Sequence, residues 1–116
     1  HCYCIIFWTA VMTTIIVLFN LKDDVTQEEY ENWATSTDLP IVRNLRSVEN
    51  FEVFRSKGML GSDSPPAYDY IEVISLNDET AFYEEISSQL MQDIAAKFQS
   101  FAENPQFILT DVLGTI

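Results

Sequence analysis

Asp38 and Glu72 are the acids whose positions suit proton transfer. Asp38 stands at Thr37-Asp38-Leu39-Pro40, a break between two helical stretches. Glu72 lies in the middle of the strand-like run AYDYIEVISL, sharing a face with Tyr68, Tyr70 and Ile74. A carboxyl withdrawn from water loses acidity and moves toward the range where it gives and takes protons near neutral pH. Two such acids facing one space suffice for a dehydration or a ring closure. Each also has a purely structural reading. Asp38, two residues before Pro40, is a good cap for the following helix. Glu72, if buried, needs a partner, and Arg55 is a candidate at a strand edge or dimer interface.

Around these acids stand groups suited to holding a flat ring. Tyr30 and Trp33 fall on one side of the first helix and can stack on a heteroaromatic ligand, or simply belong to the core. Asn20 and Tyr70 can orient a carbonyl or a ring N–H. Asp111 can do the same or lie in solvent. The run SKGMLGSDSPP, residues 56–66, is rich in Gly and Pro and reads as a long loop, a candidate lid.

Other chemistries are excluded. His1 is the single histidine, and both cysteines, Cys2 and Cys4, lie at the N-terminus. This removes thiolate catalysis, histidine general base chemistry and most transition-metal sites from the body of the domain. A Cys-x-Cys pair with one histidine has too few ligands for a closed zinc site, and a disulfide across one residue is strained. The expectation is no metal.

With 116 residues the chain suits one domain with one modest core. Six Lys plus Arg stand against 18 Asp plus Glu, a formal net charge of −12. Such a surface repels nucleic acid phosphates and anionic lipid heads, and it fits a soluble cytoplasmic protein. Residues 1–11 read as an extension, either upstream coding sequence or a cloning remnant, with Met12 as a natural start and 12–116 as the domain. The apolar run 2–19 has the length of a membrane span, but its second half is better explained as a buried strand. It lacks the basic flanks and small-residue cleavage site of a signal peptide.

The elements that must position the acids follow from hydrophobic period. Thr13 to Lys22 is β-branched and aromatic without alternation, a strand covered on both faces. Thr26 with Glu29 forms a capping box and starts a helix. After the break at Pro40, Ile41, Val42 and Leu45 give a short second helix its apolar face. Ser47 to Arg55 and Ala67 to Leu76 read as strands flanking the loop. Asn77-Asp78 caps one long helix with Phe82, Ile86, Leu90, Ile94, Phe98 and Phe101 as its stripe. Glu79, Glu84, Glu85, Gln92 and Gln99 lie away from that stripe, and Asn104-Pro105 ends the helix. Gln106 to Leu113 is the last strand. The order is βαββαβ, an α+β ferredoxin-like plait with both helices on one side of a four-stranded antiparallel sheet. The other side stays apolar and needs a cover. The simplest is a second copy, giving a homodimer with an eight-stranded barrel at its centre.

From Met12 onward the chain resembles the RedY-like proteins of prodigiosin-type pigment pathways, within the dimeric α/β-barrel superfamily. The resemblance is carried by MTTIIVLFNLKDDV and by TDLPIVRNL. A looser likeness is to the EthD-like branch, whose first helix ends in a His-x-Pro-hydrophobic element; here it stands as Asp38-Leu39-Pro40-Ile41, with an acid at the histidine position. The resemblance implies a cytoplasmic protein of secondary metabolism that acts on a pyrrole or bipyrrole intermediate and needs no cofactor. It implies a cyclase or dehydratase, or a non-catalytic helper that binds the intermediate or supports other pathway enzymes. In the catalytic reading Asp38 moves the proton, Glu72 assists, and Tyr30 and Trp33 hold the ring, with Asn20, Tyr70 and Arg55 around it. A cofactor-independent oxygenase is a third reading.

Overall fold

The computed structural model describes residues 12–114. The expectations for residues 1–11 lie outside the described residues.

Nine-residue strand β1 (Thr13–Leu21) is the centre of the sheet, flanked by β3 (Tyr70–Leu76) on one side and β4 (Ala102–Asp111) on the other. β2 (Val48–Arg55) completes the order β2-β3-β1-β4, and every neighbouring pair is antiparallel. This is the ferredoxin-like α+β arrangement read from the sequence. Ile15, Val17 and Phe19 point to the face that carries the core, together with Tyr70, Leu76 and Phe51. The residues between them, Ile16 and Leu18 on β1 with Ile71 and Val73 on β3, turn to the opposite face and are half-buried. On that face Phe54 and Ile108 are exposed.

Helix α1 (Gln27–Trp33) opens with the expected capping box: Glu29 N–H donates to Thr26 Oγ1 at 3.1 Å and Thr26 N–H to Glu29 Oε1 at 3.2 Å. Pro40 does not break the path as expected. The backbone widens into a π-helical turn, Ala34–Asp38, and runs on into α2 (Leu39–Arg43). Leu39 N–H reaches back five residues to Ala34 C=O. A proline has no N–H to donate and its ring crowds the carbonyl four residues back, and the wider turn accommodates both.

The expected single long helix is two. Helix α3 (Glu79–Glu85) is capped by Asp78, which accepts from Ala81 N–H at 3.0 Å. Ser88 then adopts an extended backbone and caps α4 (Gln89–Phe101), accepting from Met91 N–H at 3.2 Å. The new start turns the helix, so Met91 is buried and Leu90 is 55% exposed. β4 starts directly after α4 at Ala102, earlier than expected. Asn104 and Pro105 lie inside it, at an extra residue where the pairing with β1 shifts, and Asn104 takes φ +46°. A left-handed Asn and a Pro are tolerated here because β4 is an edge strand at a bulge.

Candidate functional site

Between the core face of the sheet and the helices lies a cavity of ≈ 280 Å³. Its floor is Ile15 of β1, Phe51 of β2, Glu72 and Ile74 of β3 and Phe107 of β4. Its other walls are Asp38 and Val42, Phe82 of α3 with Ile86 just past its end, and Met91, Ile94, Ala95 and Phe98 of α4. Both candidate acids therefore open into one space. Glu72 is placed by register: it pairs with Val17 of β1 and Val53 of β2, so alternation aims it at the helices. Asp38 is placed by the π turn. Its backbone is helical (φ −62°, ψ −56°) and its side chain makes no capping hydrogen bond, so the capping alternative does not hold.

Each acid is 4% exposed. Burial pushes the Asp38 carboxyl up to about 7. Burial also pushes Glu72 up, to about 8, with the charge of Asp38 adding to the rise and the hydrogen bond from Tyr30 opposing it. A charge on Asp38 thus helps Glu72 keep its proton. Tyr30 Oη donates to Glu72 Oε2 at 3.1 Å. The phenol itself is buried among Phe19, Trp33, Tyr70 and Phe101, which with the nearby acids holds its proton on well above the usual range.

The other sequence-derived candidates fall elsewhere. Trp33 packs 5.4 Å from the Phe101 ring and does not line the cavity, so it offers no platform there. Tyr30 stands behind Glu72, likewise outside the lining. Arg55 does not pair with Glu72. It binds Glu31, Nε to Oε2 at 2.6 Å and Nη2 to Oε1 at 2.9 Å. Glu31 also accepts from Tyr70 Oη at 2.7 Å, and the bonds from Arg55 and Tyr70 hold its carboxyl below the usual range. Tyr70 and Arg55 thus border a separate hollow of ≈ 140 Å³ shared with Tyr30 and Thr35. Asn20 pins the end of the loop, donating to Ala67 C=O at 3.2 Å and accepting from Asp69 N–H at 2.9 Å. Asp111 is exposed. Residues 56–66 contribute nothing to the cavity wall.

Two lining residues are not among the site candidates of the sequence reading. Gln92 and Gln99 lie off the apolar stripe, as expected, and border the cavity beside Ala95. Both stay exposed at its rim, and the break at Ser88 leaves their angle to Ile94 and Phe98 unchanged, since all four lie in α4. The Ser87-Ser88 pair is the signal for that break. Among the described residues no cluster of His, Cys, Asp or Glu is fit to hold a metal ion. No described helix is long and apolar enough to cross a membrane.

The profile of a family described as REDY-like protein HapK matches residues 13–113. Among solved structures, HapK from Hahella chejuensis shares 29% identity over 90% of this chain and 95% of that one, with a TM-score of 0.73. A dimeric ferredoxin-like protein of unknown function from Thermobifida fusca superposes at TM-score 0.70 with 18% identity, over 90% of this chain and 93% of that one. SnoaB, a cofactor-independent oxygenase from Streptomyces nogalater, superposes at 0.71 with 12% identity, over 90% and 96%. The last two likenesses are of fold. No curated protein matches the chain.

Proposed function

The chain belongs to the REDY-like HapK family, and on that premise we propose that it acts on a pyrrole or bipyrrole intermediate of a prodigiosin-type pathway. The reaction is a cofactor-free dehydration or cyclisation run by acid/base catalysis. The observation that carries this reading is the pairing of Asp38 and Glu72 in one apolar cavity. At ≈ 280 Å³ the space sits at the small end of ligand pockets, which run from about 300 to 1,000 Å³, and suits one or two small rings.

Burial raises both carboxyls toward neutral pH, and in the proposed cycle Asp38 is the ionised member and Glu72 the protonated one. Asp38 then takes a proton from ring carbon or nitrogen as general base. Glu72 gives its proton to the departing hydroxyl, which leaves as water. The Tyr30 hydroxyl is already bonded to Glu72 Oε2 and stabilises the carboxylate as it forms. Exchange of one proton from Asp38 back to Glu72 resets the site. Asp38→Asn in a reconstituted pathway tests this: product formation should collapse, and unchanged product at unchanged protein level would remove Asp38 from the mechanism.

A binding role is the second reading, favoured by the apolar walls of the cavity. It predicts that substrate disappears no faster with this protein alone, while yield rises when a partner enzyme is added. Under either reading we take the assembly to be a cytoplasmic homodimer joined through the open sheet face. The exposed Phe54 and Ile108 on that face support it, as does the dimeric ferredoxin-like relative.

A further inference from the structure

We propose that the cavity selects its ligand by charge, taking a flat aromatic ring that bears N–H donors or a positive charge and rejecting a ring carboxylate or phosphate. This deepens the function proposed above and rests on that reading for the cavity being the ligand site.

The ionisable side chains of the lining are Asp38 and Glu72, each 4% exposed, and its remaining polar groups are the amides of Gln92 and Gln99. The whole chain has six Lys plus Arg, at positions 22, 43, 46, 55, 57 and 97, and none lines the cavity. Several are engaged elsewhere. Arg55 is held by Glu31, Arg43 Nε donates to Phe51 C=O at 2.9 Å, and Lys97 lies 5.1 Å over the Phe101 ring. Above neutral pH, where Asp38 is ionised, an anion entering this space would meet a like charge away from water with no cation to compensate it, which is costly.

A donor, by contrast, meets an open acceptor. The Asp38 side chain makes no capping hydrogen bond and faces the cavity, so its oxygens are available to a ligand there. A ligand N–H would donate to them. Phe51, Phe82, Phe98 and Phe107 give the ring apolar walls and give a cation aromatic faces. The same selection places the step in a sequence. Any ring acid present upstream must already have been lost as CO2 or masked as an ester, amide or thioester.

The test is calorimetric titration of the whole protein with three matched probes, 2-(aminomethyl)pyrrole, pyrrole-2-carboxamide and pyrrole-2-carboxylate. The amine should bind at least about tenfold tighter than the carboxylate, with the amide between them. Combining Asp38→Asn with Glu72→Gln should bring amine and carboxylate within about threefold. Gln99→Lys, at a rim position that leaves the acids in place, should tighten the carboxylate about tenfold, and it serves where the double variant fails to fold. Comparable affinity of amine and carboxylate for the unaltered protein would overturn the proposal, as would no binding of any probe at millimolar concentration. Because the readout involves no turnover, charge selection without product formation would leave this inference standing and sink the catalytic one.

Discussion

Tyr30 donates its phenolic hydrogen to Glu72 at 3.1 Å, while Asp38, facing the same cavity, makes no capping hydrogen bond. The two carboxyls are therefore unequal before any ligand arrives. One is supported from behind and the other is open to the cavity. An acid and a base with similar proton affinities but different partners can exchange roles within one turnover.

Tyr30→Phe should remove the support without emptying the space. Glu72 would then hold its proton more tightly, since the bond from Tyr30 opposes the rise. The lost hydrogen bond should cost about 1 kcal/mol of stability. The alkaline limb of the rate–pH profile should move to higher pH. A fall in rate at every pH with an unmoved limb would show that Tyr30 only packs.

Stability should carry the mark of the buried acids. Both have folded-state values raised above their ordinary ones, to about 7 and about 8. The native state therefore binds more protons than the unfolded chain between roughly pH 4 and pH 8, and stability falls as pH rises through that window. The contribution is fully present below the unfolded values and is lost above the folded ones, with a total on the order of a few kcal/mol. Thermal melts should show a Tm several degrees lower at about pH 8.5 than at about pH 5.5, and the difference should shrink in Asp38→Asn. A flat Tm across this range would mean that the carboxyls are ionised throughout.

Pro40 and the π turn aim Asp38. Pro40→Ala restores the missing N–H and lets the helix close to ordinary α geometry, which turns Asp38 by about 100° relative to the sheet. Tm should hold or rise while turnover drops. Full turnover in Pro40→Ala would separate the π turn from function.

The uncovered sheet face predicts the assembly. Ile108→Lys places a charge among Ile16, Leu18 and Val73 and should yield monomers by analytical ultracentrifugation, with the far cavity intact. A protein that sediments as a monomer before substitution would contradict the homodimer.

Much of the fold is legible in the residues. The β-branched run of β1, the capping box at Thr26 and the alternation that carries Glu72 all act through nearest neighbours. The break at Ser88 is hidden because Phe82, Ile86, Leu90, Ile94 and Phe98 recur every four residues. A strict four-residue repeat drifts about 40° per step around a helix and is no true stripe. At the site, the pairing of Arg55 with Glu31 rather than Glu72 depends on how α1 crosses the sheet, which no local pattern records. Trp33 lies about 60° from Tyr30 around α1; both rings pack on Phe101, but only Tyr30 reaches Glu72.

The pairing of Asp38 and Glu72 is tested most directly by NMR titration of their side-chain carboxyl carbons in the labelled protein. Both resonances should move between about pH 6 and pH 9, and Asp38→Asn should lower the Glu72 midpoint by removing a like charge. Both carboxyls already ionised at about pH 5 would contradict the account.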